Sequence, residues 1–345
     1  MNENQANQPV PSPEETTPCP PCGPGKDFRT TIGGQALLEG ILMRGPKRQA
    51  IVVRKPDGAL EIRNEELKLI KDRYPILGVP FIRGVVNFLD SMVKGIQALM
   101  WSAEFYPEDG EPEEPSRLEK WIEKRFGSEA LFKWIIAIAM LAGLGFAIAL
   151  FVILPTLVTS GFLYFVPDAP MWLRNLLEGI LKLMIFFVYI VLCSRLKEIQ
   201  RTFRYHGAEH KTIFCYERGL PLTVENARAM PRHHPRCGTS FLVVVIIIAV
   251  LASCVVFALP GVRDVAENPI IRILLHLVML PVIVAVTYEL NRFIGRHDNP
   301  VTRVLAAPGL WMQNFTTFEP DDSMLEVAIQ ALTLVLPEKA GEDAW

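Results

Sequence analysis

Charge is missing from long stretches of this 345-residue chain: no Asp, Glu, Lys or Arg lies between residues 134 and 166, or between 238 and 262. Uninterrupted apolar runs of that length read as membrane spans before anything else. Net charge is also nearly absent, at −2, which leaves no electrostatic footprint for a nucleic-acid partner. The first thirty residues lack an apolar core and are rich in proline from Pro9 to Pro21, so no cleavable signal peptide is expected there. No G-x-S-x-G elbow and no phosphate-cradling P-loop occurs. The six cysteines stand at 19, 22, 193, 215, 237 and 254. Cys193 and Cys254 fall inside apolar runs and read as small hydrophobes, so the even total does not argue for a disulfide framework. Cys19 and Cys22 form half a zinc knuckle with no second half nearby.

What is present divides the chain. Residues 1–27, poor in large apolar side chains, read as a disordered tail. Residues 28–106 read as a small α+β region. Two β-rich runs, 51–54 and 59–63, flank the turn signal Pro56-Asp57-Gly58. Phe81, Val85, Phe88, Leu89, Met92, Ile96 and Leu99 then recur at helical spacing. Arg83, Asp90 and Lys94 interrupt them too often for a span, so a helix lying on the membrane or packed on the strands is expected. The acidic stretch 107–116 reads as a linker. After it, "RLEKWIEKRF" puts Leu118, Trp121, Ile122 and Phe126 on one face, as in a helix approaching a bilayer surface.

Residues 117–295 read as a membrane domain with spans at 134–155, 176–194, 239–259 and 270–290, followed by a cytoplasmic segment, 296–345. The first run continues apolar to residue 166; as helix it would measure roughly 50 Å against a hydrocarbon core of about 30 Å. Pro155 and the Thr/Ser/Gly cluster after it favour one span with an interfacial tail over a tight hairpin. The loop 195–238 carries Arg195, Lys197, Arg201, Arg204, Lys211, Arg218, Arg228, Arg232 and Arg236, whereas the outer loops carry little beyond Arg174, Arg263 and Arg272. The positive-inside rule then makes this loop and both termini cytoplasmic. Cysteines in that compartment are thiols or metal ligands.

Within this loop "YHGAEHK" carries the pattern H-x-x-E-H. On a helix His206 and His210 share a face one turn apart, the spacing a single metal ion needs, and Glu209 can act on a bound water as general base. Gly207 weakens such a helix or permits a close backbone approach, and Gly219 reads as its stop. After a short helix capped by Thr223, "PRHHPRC" supplies His234 and Cys237 three apart. The loop thus holds two ligand pairs, with Glu209, Glu217 and Glu225 between them. A His₃Cys or His₂–Cys–Glu site is open to it, with zinc the default metal for imidazole plus thiolate. The two pairs meet only if the second span breaks near residues 195–197 and the helix lies along the surface, or if the loop folds up to it, because a straight helix would carry His206 about 20 Å from the membrane core. True inverted-motif peptidases take a third ligand from a large soluble fold that this chain lacks. Inside the spans, His276 is expected to make an interhelical hydrogen bond, and Glu178 with Lys182 an i,i+4 pair.

Four blocks give the chain a family resemblance: "GGQALLEGILMRGP" (33–46), "YHGAEHKTIFCYE" (205–217), "LTVENAR…HPRCGTSFL" (222–242) and "PGLWMQNFTTFEPDD" (308–322). In these it resembles the bacterial YqhQ family over residues 31–336, which implies a multi-pass protein of the bacterial plasma membrane and a metal-dependent enzyme. The resemblance also points at Gln35, Glu39 and Arg44, and at Gln313. On a helix Gln35 and Glu39 would share a face, whereas Asp321 reads as a helix cap.

The expectation is a mainly α-helical membrane protein with about four transmembrane helices, a small α+β cytoplasmic N-terminal region, and a cytoplasmic loop between spans two and three. Its expected function is a membrane-anchored, zinc-dependent hydrolase of unspecified substrate. His206 and His210 would be ligands, with His234 or Cys237 completing the site and Glu209 as acid/base. The alternative is a non-catalytic scaffold or assembly protein in which the same residues hold a structural metal. The lipid bilayer is the expected partner; a second copy or another membrane protein stays open.

Overall fold

A computed structural model describes residues 28–67, 74–106, 128–166, 169–297, 299–339 and 341–344. The N-terminal tail with Cys19 and Cys22, the linker 107–116 and the amphipathic stretch 117–126 lie outside the described residues. The chain opens with a four-stranded antiparallel meander, β1 (Gly33–Leu37), β2 (Gly40–Arg44), β3 (Arg48–Arg54) and β4 (Leu60–Glu66), in spatial order β1-β2-β3-β4. The turn at Pro56-Asp57-Gly58 forms as expected, with Gly58 at φ 86° and Ala59 N–H donating to Asp57 Oδ1 at 2.9 Å. The block 33–46 corrects the helical pairing of Gln35 with Glu39. It is a hairpin, with Gln35 paired to Leu42 across the sheet and Glu39 in the turn at φ 51°. The physical reason is that Ile41, Leu42 and Met43 are buried in succession, which a strand between two packed faces allows.

Those two faces are distinct. Ile41, Met43, Ala50 and Val52 point into a core with Tyr205, Ala208, Met324, Leu325 and Ala328. Leu42, Ile51 and Val53 point the other way, onto Ala98 and Trp101. Ala98 and Trp101 belong to α1 (Ile82–Ala103), the helix expected from the 81–99 periodicity. It packs on β1 and β2 at one end and, through Arg83 to Glu289 and Asn87 to Tyr288 Oη, on a later helix at the other.

The first apolar run is α2 (Ser128–Ile148), a π turn at Ala149–Ile153, and α3 (Leu154–Tyr164). Pro155 has no N–H for the carbonyl one turn back, and the π turn immediately precedes it, with Leu154 N–H bonded to Ala149 O. No hairpin forms, and the apolar tail stays helical. Next come α4 (Met171–Cys193), α5 (Lys197–Glu217), the short α6 (Val224–Arg228), α7 (Gly238–Val256), the single turn α8 (Val262–Val265) and α9 (Pro269–Arg296). The chain closes with α10 (Pro300–Thr316) and α11 (Asp322–Thr333). Among the described residues four helical segments are long and apolar enough to cross a membrane: Ala137–Tyr164, Met171–Cys193, Gly238–Val256 and Pro269–Arg296. These four segments suggest a membrane protein; the fold is mostly helical, with a small N-terminal sheet.

The break that the two ligand pairs require is present. α4 ends at Cys193, and Leu196 is extended (φ −74°, ψ 130°) before α5 begins. α5 then packs on β1 and β2 and beside α11, which itself packs on β2 and β3. Gly207 faces the segment after α10 so closely that a Cβ there would stand 2.0 Å from Phe318 O, and Phe318 N–H donates to Phe203 O at 2.9 Å. The absent side chain is what lets the two backbones meet. α5 ends in a Schellman turn, with Gly219 at φ 66°, Gly219 N–H on Tyr216 O and Leu220 N–H on Cys215 O.

Among the span-length helices a second polar centre forms. Glu178 accepts from Thr156 (2.9 Å), Lys182 (2.9 Å), Arg272 (2.7 Å) and His276 (2.8 Å). The i,i+4 pair and the interhelical histidine bond expected from the sequence therefore share one carboxylate.

Candidate metal centre

The helical spacing on α5 sets the His206 and His210 rings edge to face, with centroids 4.4 Å apart. Each ring is held from behind by a backbone carbonyl: His206 Nδ1 lies 2.8 Å from Thr316 O, and His210 Nδ1 lies 2.6 Å from Arg232 O. A carbonyl can only accept, so the ring proton sits on Nδ1 in both histidines, and both Nε2 atoms turn toward the centre. His206 Nε2 is 3.1 Å from Cys237 Sγ. His210 Nε2 is buried and has no hydrogen-bond partner among the described residues. Cys237 arrives from the other side as the N-cap of α7, where its sulfur accepts the Thr239 N–H. One ligand atom from each of His206, His210 and Cys237 lies within 4.8 Å of the other two. Ligands around a tetrahedral ion at 2.0–2.3 Å stand about 3.3–3.8 Å apart, so small adjustments seat one ion. Carbonyls fixing the far nitrogen are the usual outer support of metal-bound imidazoles.

The electrostatics follow from the same contacts. Burial opposes charge on His206, but the Cys237 sulfur, Glu209 and the Thr316 carbonyl outweigh it and hold its pKa up at about 9. Burial likewise opposes the Cys237 thiolate, yet the His206 and His210 charges keep this thiol well below the usual range. Glu209 is buried beside them, and burial raises its carboxyl pKa against the lowering pull of the two histidines. Its Oε1 accepts the Gly34 N–H at 2.9 Å. A Cβ at Gly34 would stand 3.2 Å from the Glu209 carboxyl carbon and 2.5 Å from Leu42 O, so glycine there lets β1 close over α5.

His234 stands next to this cluster, its ring centroid 5.5 Å from that of His210, but its Nε2 faces Glu217 Oε2 at 3.5 Å. Burial lowers its pKa against the pull of Glu217. Glu217 also pairs with Arg236 and accepts the Thr30 N–H, and is held below the usual carboxylate range as these partners overcome burial. Gln313 is fully buried and clamps the second ligand segment. It accepts the His234 N–H at 2.7 Å and donates to His234 O at 2.8 Å and to Ser240 Oγ at 3.1 Å, on either side of Cys237.

The remaining polar candidates stand apart from the cluster. Glu39 holds Arg201 and Tyr205, fixing α5 one turn before His206. Gln35 presses against α1, where a Cβ on Gly95 would strike its Oε1. Arg44 pairs with Asp90 at 2.6 Å, and Glu225 stands in the first turn of α6. The Thr316 and Arg232 carbonyls were beyond the reach of sequence, because any residue supplies a carbonyl. The adjacent glycines 33 and 34 were the one available signal of the close approach over Glu209.

Residues 79–338 match the family described as "Protein of unknown function (DUF1385)". The chain is 31% identical over 316 residues to "Uncharacterized protein YqhQ" of Bacillus subtilis (strain 168), covering 88% of this chain and 92% of that protein. No solved structure matches. With three-quarters of its length matched by the family and 88% of it covered by a relative of 31% identity, the chain belongs to this YqhQ-like family of unknown function.

Proposed function

We propose that this protein is a membrane-anchored, metal-dependent enzyme of hydrolase type, with zinc held by His206, His210 and Cys237. The observation that carries the reading is the buried, unpartnered Nε2 of His210, aimed with His206 Nε2 and Cys237 Sγ at one point. Three converging ligand atoms, with His234 turned to Glu217, match the donor count of a catalytic zinc better than that of a closed structural site. When bound, zinc lowers the pKa of a coordinated water toward neutrality. On this reading Glu209, whose Oε1 accepts the Gly34 N–H, takes and returns the proton. The basic loop 195–238 supports a cytoplasmic orientation for this face, with both termini on the same side in a bacterial plasma membrane.

The test is metal content of the purified protein. About one zinc per chain is expected, falling to background in His206→Ala, His210→Ala and Cys237→Ser. Wild-type protein free of metal after growth in zinc-replete medium ends the reading. Glu209→Gln is expected to keep the zinc and lose cellular function. The scaffold alternative expects zinc and function both to survive that change.

A further inference from the structure

The polar centre between the span-length helices is not balanced. Lys182 and Arg272 pair with one buried carboxylate, Glu178, whose two oxygens already accept four donors, while Arg174 feels the same charge without bonding to it. Arg272 is completely buried. It places its guanidinium 4.3 Å from the Phe257 ring centre and, beyond Glu178 and Asn175, meets only the Met171 sulfur at 3.8 Å. Arg174 reaches Ser160 Oγ at 2.8 Å, and its Nε is buried with no hydrogen-bond partner among the described residues. The other carboxylate acting on Arg174 is Glu267, which is exposed ahead of α9. Unbalanced positive charge among apolar helices is costly and calls for an anion.

The place suggests which anion. Arg174 is 19 residues before Cys193 on α4, which puts it about 28 Å along the helix from the metal-centre end. Exposed Tyr164, Phe165 and Trp172 lie at this same remote end. Aromatic side chains of this kind line membrane–water interfaces, the level at which phospholipid phosphates sit. Arginine forks match phosphate oxygens in geometry as well as charge.

We propose that the Arg174 end of this cluster binds a phosphate group, presented by an anionic phospholipid in the leaflet remote from the metal centre. The headgroup phosphate accepts from Arg174 and offsets the cation excess around Glu178. The inference rests on the membrane reading of the four helices and is independent of the metal.

The full chain in neutral detergent, stripped of lipid, is titrated separately with phosphatidylglycerol, phosphatidylcholine and inorganic phosphate. Thermal unfolding and native mass spectrometry report binding. Phosphatidylglycerol is expected to raise the unfolding temperature and to remain bound, with phosphatidylcholine well behind. Arg174→Gln is expected to raise the half-saturating concentration about tenfold, with partial rescue in Arg174→Lys. Arg174 carries the test because its removal leaves Glu178 with all four of its donors, whereas Arg272→Met strips one away. Equal stabilisation by inorganic phosphate, lost in Arg174→Gln, keeps the phosphate site and makes its source a soluble anion. Equal binding of phosphatidylcholine, or an Arg174→Gln protein that binds like wild type, overturns the proposal.

Discussion

Around Glu178 one carboxylate collects hydrogen bonds from Thr156, Lys182, Arg272 and His276, and every donor that reaches it finds an oxygen. Around Cys237 the same kinds of residue do the reverse. Two imidazoles donate their Nδ1–H to the Thr316 and Arg232 carbonyls and turn Nε2 inward, toward a sulfur. The first centre closes on itself and is left with surplus positive charge. The second leaves lone pairs facing lone pairs, an arrangement that only a proton or a metal ion relieves. Burial is shared by both centres; what differs is where each side chain's far end is tied.

Removing one member of each centre should therefore cost very different amounts. Glu178→Ala leaves Arg272 buried without its carboxylate and is expected to lower stability by about 3–5 kcal/mol, metal or no metal. In metal-free protein, His210→Ala gives up one bond to the Arg232 carbonyl and relieves an unpartnered nitrogen, so its cost is about 1 kcal/mol. Added zinc should stabilise the wild type and leave His210→Ala where it was. Thermal unfolding with and without chelator checks both, and equal losses in the two variants would erase the distinction.

The same contrast is expected among the thiols, with a rate difference on the order of a hundredfold. Burial pushes the Cys215 thiol up to about 11, against a weaker pull from Arg218, so at pH 8 it stays protonated. Cys237 is pulled toward the thiolate by His206 and His210. Metal-free protein treated with a small alkylating reagent should lose Cys237 first, as read by peptide mass spectrometry. Zinc should protect Cys237 and leave Cys215 unaffected. Faster modification of Cys215 would contradict the assigned charges.

Gly207 offers a smaller effect. Gly207→Ala drives a methyl group into Phe318 O and is expected to cost about 1–3 kcal/mol and to weaken zinc binding, because Thr316 is displaced with the segment that carries it. Gly143→Ala, in α2 where nothing lies within 4 Å of the added carbon, should be neutral or slightly stabilising. Similar losses at both positions would mean that helix propensity, and not the close approach, sets the cost.

How much of this was legible beforehand depends on the range of each interaction. The histidine pair, the Thr223 cap, the Gly219 stop and the Pro155 discontinuity are local, and each is carried by residues within a turn or two of one another. The break at Leu196 was legible only by inference, as the condition for two distant ligand pairs to meet. The hairpin at 33–46 was missed because its second strand is buried on both faces, which removes the alternation that marks a strand. The cation-rich centre was missed for a related reason. Arg174 and Arg272 stand near span ends and were counted as outer-loop charge, whereas Glu178, the partner of Arg272, lies 94 residues away in the sequence. Nothing in a single chain's sequence marks that pairing.

The smallest expected effect tests whether the segment leading from Phe318 into α11 is held by a cap or only by packing. Asp321 caps α11, accepting the Met324 N–H at 3.0 Å and the Ser323 hydroxyl at 2.6 Å. Burial works against its charge, but these bonds together with Arg201 and Arg204 outweigh it, so its pKa lies below the usual carboxylate range. A carboxylate depressed in the folded state adds stability that is complete above its unfolded pKa of about 3.9 and fades as pH falls through the lower folded value. Asp321→Ala should cost about 1 kcal/mol at pH 7, and Asp321→Asn less, because asparagine also caps. Denaturant midpoints measured from pH 7 downward should show the wild-type advantage over Asp321→Asn constant above about pH 5 and shrinking below pH 4. An advantage that grows on acidification would reverse the sign, and the charge on Asp321 would then oppose the fold of α11.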